Sequence, residues 1–122
     1  MQKRLRFPKS RRLTLGSEFQ RVRTDGTSFR GGTLTIGVLK SAEPEPKASV
    51  RVGFITSRRV GRAVIRNRIR RRLREIFRKH QHEISGGVWI VTIASARAAR
   101  ETSHALEDEW LRLARRASIL AL

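Results

Sequence analysis

The stretch RRVGRAVIRNRIRRRLR, from Arg58 to Arg74, is the segment that decides the fold and the chemistry of this chain. It holds nine arginines in 17 residues, and no acidic residue occurs between Glu45 and Glu75. At about 100° per residue, its apolar side chains and those just after it share one arc of a helix. Those side chains are Ile65, Ile69, Leu73, Ile76 and Phe77. The pattern predicts an amphipathic helix over residues 62–82 whose apolar arc covers a sheet.

The arginines of this helix stand in an arrangement that lowers its stability. Four repeat at every fourth position, where like charges cost a few tenths of a kcal/mol per pair. Three more crowd the helix start, which is already the positive end of the macrodipole. The four at every fourth position are Arg66, Arg70, Arg74 and Arg78, and the three at the helix start are Arg58, Arg59 and Arg62. Such a cost indicates an anionic partner that offsets it.

Three interpretations of the arginine surface compete. A solvated face is the simplest, but such faces usually mix charges of both signs. A membrane-surface helix needs its apolar face for lipid, and here that face is required to cover the sheet. A phosphate-binding surface explains the unrelieved charge, so the sequence favours nucleic acid.

The rest of the chain predicts an α+β fold, a two-layer α/β sandwich with one mostly antiparallel sheet and helices packed on it. We expect one RNA-binding domain over residues 1–122, of which 1–13 form a basic extended arm. A capping box from Ser17 to Gln20 starts a short helix that Gly26 ends. Alternation predicts half-buried strands at 33–39 and 50–57, separated by a loop at 43–46, and an apolar central strand at 88–93. The last predicted helix covers 102–117, which gives the order helix, strands, helix, strand, helix.

Composition points to the same class of partner. The chain has 28 Lys+Arg against 10 Asp+Glu, a formal net charge of +18, and 23 of the basic residues are arginine. Guanidinium matches phosphate oxygens with a planar fork of donors, although a GC-rich genome also replaces lysine with arginine. There are no cysteines and no apolar run of about 20 residues. The basic amino terminus has no apolar stretch behind it, so we expect no signal peptide. We therefore expect a soluble cytoplasmic protein.

Catalytic and metal-binding patterns are weak. His80 and His82 are two residues apart and point in different directions on a helix, so a frayed helix end explains them better than a metal site. No Gly-rich phosphate loop or nucleophile elbow occurs. We predict no catalytic residues, no metal site and no cofactor bound by the protein.

Arg66-Asn67-Arg68, inside GRAVIRNRIRRRLREIFR, closely resembles the signature of the bacterial ribonuclease P protein component. The resemblance extends to Arg51–Phe54 and Ser57–Gly61, to the positions of Phe19, Val22 and Gly26, and to the order of elements. It implies a subunit without catalytic residues. In that family, a large RNA carries a magnesium-dependent active site that removes 5′ leaders from precursor tRNA, and the protein binds both RNAs.

The resemblance also assigns two sets of residues. The RNA-binding set is Arg58, Arg59, Arg62, Arg66, Asn67, Arg68, Arg70, Arg71 and Arg74. The leader-binding cleft, between the first helix and the exposed sheet face, is Phe19, Arg23, Ser28, Thr35, Gly37, Ile55 and Ser57. Relatives often have aromatic residues where this chain has Arg23 and Gly37, which leaves Phe19 as the apparent platform for stacking on leader bases. The expected partners are ribonuclease P RNA and precursor tRNA, with neither a membrane nor a small-molecule substrate.

One alternative stays open at this point. A general RNA-binding module, such as a ribosomal-type protein or an RNA chaperone, would show the same charge and the same helix face.

Overall fold

The computed structural model describes residues 11–42 and 50–120. Within them, three helices surround one four-stranded sheet, with short 3₁₀ turns on either side of the longest helix. In chain order the elements are α1 (Gly16–Asp25), β1 (Thr27–Arg30), β2 (Leu34–Lys40), β3 (Arg51–Thr56), α2 (Ala63–His80), β4 (Val88–Ala94) and α3 (Ser103–Arg116). The α+β fold, the arginine helix and the last helix are confirmed.

The sheet has the strand order β1-β2-β4-β3. β2 pairs antiparallel with β1 and β4, whereas β3 and β4 are parallel and α2 forms the crossover between them. The mostly antiparallel sheet and the interior position of β4 are as predicted. β1 was missed, because TSFR is short and has only Phe29 as a large apolar side chain.

The main core lies between the sheet and the pair α2 and α3. The predicted apolar arc of α2 is buried, with Ile65 partly so, and it meets the buried side of α3 and the inward residues of the strands. The largest contributors are Trp110, Phe77, Leu34, Ile36, Ile69, Leu73, Ile90, Leu106 and Leu113. Each such side chain contributes roughly 1.5–3 kcal/mol on burial, which holds α2 with its arginines outward.

α1 packs on the opposite face of the sheet, so helices lie on both faces. Its Val22 joins Leu13 and Val91 in a second, smaller apolar cluster, against which Phe19 and Trp89 also pack. This partial third layer leaves part of the α1 face of the sheet open.

The capping of α1 differs from the prediction. The helix begins at Gly16, and the Glu18 carboxylate accepts hydrogen bonds from the backbone N–H groups of Thr14 (3.0 Å) and Leu15 (2.9 Å). The predicted capping box from Ser17 to Gln20 is therefore wrong. A carboxylate satisfies two terminal N–H groups at once, which the Ser17 hydroxyl cannot do.

Gly26 ends α1 as predicted, and its N–H donates to the Val22 carbonyl at 2.9 Å. A Cβ at Gly26 would lie 2.5 Å from the Val38 carbonyl oxygen, so only glycine fits this turn. Of the predicted arm, residues 1–10 lie outside the described residues, as does the loop at 43–46. Leu13 is buried, and its N–H donates to the Val52 carbonyl (2.9 Å) along the edge of β3.

Candidate nucleic-acid interface

The arginine set predicted to bind RNA lies together along the outer side of α2 and the turn before it. Asn67 and six of the arginines are exposed, and the other two arginines are half buried. The exposed arginines are Arg58, Arg59, Arg62, Arg68, Arg71 and Arg74, and the half-buried ones are Arg66 and Arg70. Within residues 11–42 and 50–120, none of these eight forms an ion pair with a carboxylate. The surface therefore presents its positive charge without internal compensation.

Two arginines of α2 are used within the fold, and neither was assigned to RNA. Arg72 donates from Nη1 to the Glu101 carbonyl at 2.9 Å. Arg78 forms an ion pair with Glu75, and this hydrogen bond lowers the pKa of the Glu75 carboxyl below its ordinary value. α2 therefore carries two arginines that contact other groups of the fold, apart from the set assigned to RNA.

Arg66 lies where its helical angle predicts, at the edge of the apolar arc. It is half buried, and its Nε is buried with no hydrogen-bond partner in the described part of the chain. Asn67, one residue on, is exposed and accepts a hydrogen bond from Arg70 through Oδ1. The two residues at the start of the signature thus differ in environment.

The second predicted surface depends on how closely α1 approaches the sheet. Gly37, Val91 and Gly53 lie side by side across β2, β4 and β3. The Phe19 ring occupies the space that a Cβ of Gly53 would fill, and Val22 lies above Gly37. The two glycines let α1 lie across this row and leave a groove beside it.

The groove has a volume of about 450 Å³, and most of the predicted cleft residues line it. They are Phe19, Arg23, Ser28, Gly37 and Ile55. Thr35 and Ser57 are not part of its wall. Thr35 lies on the same sheet face beside Ile93, whereas Ser57 follows β3 at the start of the turn that carries Arg58.

Sequence reasoning missed two residues of the groove floor, Val91 and Ile93. Ile93 is 38% exposed and Ile55 is 36% exposed, values that stand out for isoleucines in a sheet. β4 was predicted to be apolar on both faces, and strand parity applied to it places Val91 and Ile93 on the α1 face. The alternation of β4 alone is therefore enough to place both residues on this face.

His80 does not lie at a frayed helix end. Its imidazole lies between the carboxylates of Glu83 and Glu107, with Nε2 2.7 Å from Glu107, and it stacks near Trp110. It links the end of α2 to α3. Within the described residues, no group of three or more His, Cys, Asp or Glu side chains is arranged to hold a metal ion, and no helix is long and apolar enough to cross a membrane.

Comparison with known proteins places these surfaces in context. Residues 7–118 match the family model described as Ribonuclease P. The chain is 41% identical over 90 residues to a Ribonuclease P protein component of Roseiflexus castenholzii, which covers 74% of the chain and 70% of the relative. It is 33% identical to that of Brevibacillus brevis, covering 92% and 86%.

Solved structures show the same similarity. The RNase P protein of Staphylococcus aureus superposes with a TM-score of 0.81 at 26% identity, covering 92% of this chain and 99% of that one. The RNase P protein of Thermotoga maritima gives 0.74 at 27% identity, covering 86% and 96%. Both superpositions cover most of this chain.

Proposed function

Because the chain belongs to the ribonuclease P protein family, whose members are the protein subunit of the ribonuclease P ribonucleoprotein, we propose that its two surfaces bind two different RNAs. The arginine face of α2 binds the ribonuclease P RNA. The groove beside α1 binds the 5′ leader of precursor tRNA.

The absence of compensating carboxylates along the α2 arginine face is the observation that carries this proposal. Eight arginines lie on α2 and the preceding turn without an ion pair in the described residues. Such a surface gains free energy by releasing counterions from a polyanion, and it needs no base-specific contacts. A structured RNA offers the irregular phosphate geometry that a broad arginine surface can bind.

The groove beside α1 has the chemistry of a single-strand site. Phe19 supplies an aromatic ring, Ile55 and Ile93 supply an apolar floor, and Arg23 is exposed at the rim. Base stacking on an aromatic side chain contributes about 1–3 kcal/mol per base and tolerates any sequence. A leader without a fixed sequence is the ligand that such a groove suits.

The chemistry of cleavage belongs, on this proposal, to the RNA. Mg²⁺ acts in the RNA active site, and the protein raises the affinity for substrate without contributing a catalytic residue. The complex acts in the cytoplasm, where tRNA maturation takes place. A general RNA-binding role, such as that of a ribosomal-type protein or a chaperone, is not favoured, since the family match covers residues 7–118.

Reconstitution tests the proposal. The protein, mixed with a bacterial ribonuclease P RNA at low magnesium, should stimulate removal of the leader from precursor tRNA. Arg66→Ala with Arg68→Ala should weaken RNA binding and reduce the slope of log affinity against log salt by about 1–2. Arg115→Ala, which removes an exposed arginine from α3, is the matched control and should leave the slope unchanged. No stimulation by the unmodified chain would refute the proposal.

Ile55→Glu separates the two surfaces. It places a negative charge in the groove floor, so it should impair leader recognition more than binding of the ribonuclease P RNA. Ser57 is less suitable for this purpose, because it adjoins Arg58 and a charge there would disturb both surfaces. Equal loss of both activities in Ile55→Glu would contradict the assignment of the groove to the leader.

A further inference from the structure

The groove beside α1 is called the leader groove from here on. A second groove lies on the other side of the Phe19 ring. It has a volume of about 280 Å³ and runs between the segment before α1, the β3 edge and α2. Arg70 and Arg74 of α2 line it together with Arg12 and Phe19. Phe19 also lines the leader groove, so one aromatic ring forms part of both walls.

Phe19 can line both grooves because its ring packs directly on Gly53. With no Cβ beneath it, the ring lies against β3, between the open sheet face and the edge that α2 overlooks. A single strand lying in the leader groove would cross this ring and meet Arg70 and Arg74 without leaving the protein surface. The two grooves thus meet at this ring.

The arginines of α2 divide between two sides of the helix. Arg70 and Arg74 are four residues apart, so they lie one above the other on the side towards β3. Arg71 is turned by about 100° from Arg70 and lines a different depression, between α2 and α3. Glu75 and Glu107 line that depression too, but their carboxylates pair with other cationic side chains. Residues adjacent in sequence therefore face different neighbours.

The chemistry of the second groove suits a phosphate chain. Glu18 lies near it, but its carboxylate already accepts hydrogen bonds from the backbone N–H groups of Leu15 and Thr14 and from Arg51. These hydrogen bonds, that of Leu15 first, hold the pKa of Glu18 below its ordinary value. Arg70 and Arg74 have no carboxylate partner among the described residues. The groove thus offers two guanidinium groups without a carboxylate partner beside an aromatic ring, a combination that suits single-stranded nucleic acid.

We infer that Arg70 and Arg74 bind phosphates of the precursor-tRNA leader, and that the catalytic RNA is bound by the other side of α2, where Arg68 and Arg71 lie. The inference rests on the proposed function, since it divides the arginine face between the two RNAs named there. It makes the leader site longer than the groove beside α1 alone.

The test measures how strongly the affinity for precursor tRNA depends on leader length, in the unmodified chain and in variants of different α2 arginines. Precursor tRNAs with a single-nucleotide leader and with a leader of about ten nucleotides are bound to the full chain assembled with a bacterial ribonuclease P RNA. The ratio of the two affinities measures what the leader contributes. Arg70→Ala with Arg74→Ala should reduce that ratio roughly tenfold, because each lost phosphate contact costs about threefold. Arg70→Lys with Arg74→Lys should restore most of it, since the positive charge is kept.

Arg68→Ala with Arg71→Ala is the matched control, because it removes the same charge from the same helix. It should weaken binding of the catalytic RNA and leave the leader ratio intact. Thermal unfolding of each variant checks that the stability of the fold is kept. If the Arg70 and Arg74 variant loses catalytic-RNA affinity as the control does, or keeps its leader ratio, the inference is overturned. If the unmodified chain binds long-leader and short-leader substrates equally well, the proposed leader groove itself is overturned. That outcome is visible without any variant, so it is distinguishable from failure of the present inference.

Discussion

Replacing Gly53 by alanine tests whether the close approach of α1 to the sheet shapes the leader groove. The new Cβ would lie 2.5 Å from Cζ of Phe19, closer still to Cε1, and 3.3 Å from Cβ of Leu13. Carbon atoms in good contact are about 3.5–4.0 Å apart, so the ring must move by about 1 Å. Overpacking of this kind costs about 1–3 kcal/mol, and alanine recovers roughly 0.5–1 kcal/mol of the entropy that glycine loses on folding. We expect a net loss of about 1–2 kcal/mol in the free energy of unfolding.

Urea and thermal unfolding measure this loss, which corresponds to a fall in Tm of roughly 3–8 °C for a chain of this size. The displaced ring should also weaken binding of the long-leader substrate while the affinity for the catalytic RNA is kept. Gly37→Ala is the matched control. Its Cβ would lie 3.3 Å from a methyl group of Val22, which can yield by a few tenths of an ångström, so its stability should change by less than about 0.5 kcal/mol.

A double-mutant cycle decides whether the Phe19 ring is the cause. In a Phe19→Ala background the obstacle is gone, so Gly53→Ala should be neutral or slightly stabilising, and the coupling energy should be about 1–3 kcal/mol. If Gly53→Ala lowers the free energy of unfolding by the same amount in both backgrounds, the new Cβ does not meet the Phe19 ring. That result would refute the explanation that Gly53 allows α1 to lie close to the sheet.

Three further predictions concern stability. Glu109→Ala removes a buried carboxylate that accepts from the backbone N–H groups of Gly32 (2.6 Å) and Thr33 (3.0 Å), so urea unfolding should show a loss of about 2–3 kcal/mol, with a smaller loss for Glu109→Gln. The Leu15 N–H is the main cause that lowers the pKa of Glu18 from 4.5, so the ionised carboxylate stabilises the fold above pH 4.5 and this contribution is lost as the pH falls. The free energy of unfolding, measured from about pH 3 to 6, should therefore depend less on pH in Glu18→Gln than in the unmodified chain. Raising NaCl from about 0.01 to 0.15 M should increase Tm, because screening relieves repulsion among the α2 arginines, and a falling Tm would mean that ion pairs such as that of Glu18 outweigh it.

The fold was predictable where a single helix or strand carries the signal within its own residues. The apolar arc of α2 has five members at helical spacing, and its burial follows from the period alone. β4 was identifiable because it is apolar on both faces. β1 has no such signal, since it depends on pairing with β2 and on Glu109, a residue 76 positions after Thr33.

The candidate site was predictable in part for the same reason. The arginine face is a property of one helix, so its exposure could be derived from angles along the sequence. The groove is a property of three strands and α1 together, and its floor requires the register that places Ile93 beside both Thr35 and Ile55. The extension towards Arg70 and Arg74 depends on where α2 crosses the β3 edge, which no periodicity specifies.

The two faces of α2 are physically linked. Like charges at every fourth position work against the helix, and burial of the opposite face is the main contribution that holds it in place. α2 therefore cannot present its arginines unless the sheet forms first or with it, because a helix of this composition has little stability alone. On the other face of the sheet, Gly37 and Gly53 let α1 lie close to the strands. Phe19 of α1 therefore lies near enough to α2 to line a groove together with Arg70 and Arg74. The fold thus places the arginine face of α2 and the groove beside α1 on either side of β3, and Phe19 lines both that groove and the second groove, to which Arg70 and Arg74 contribute.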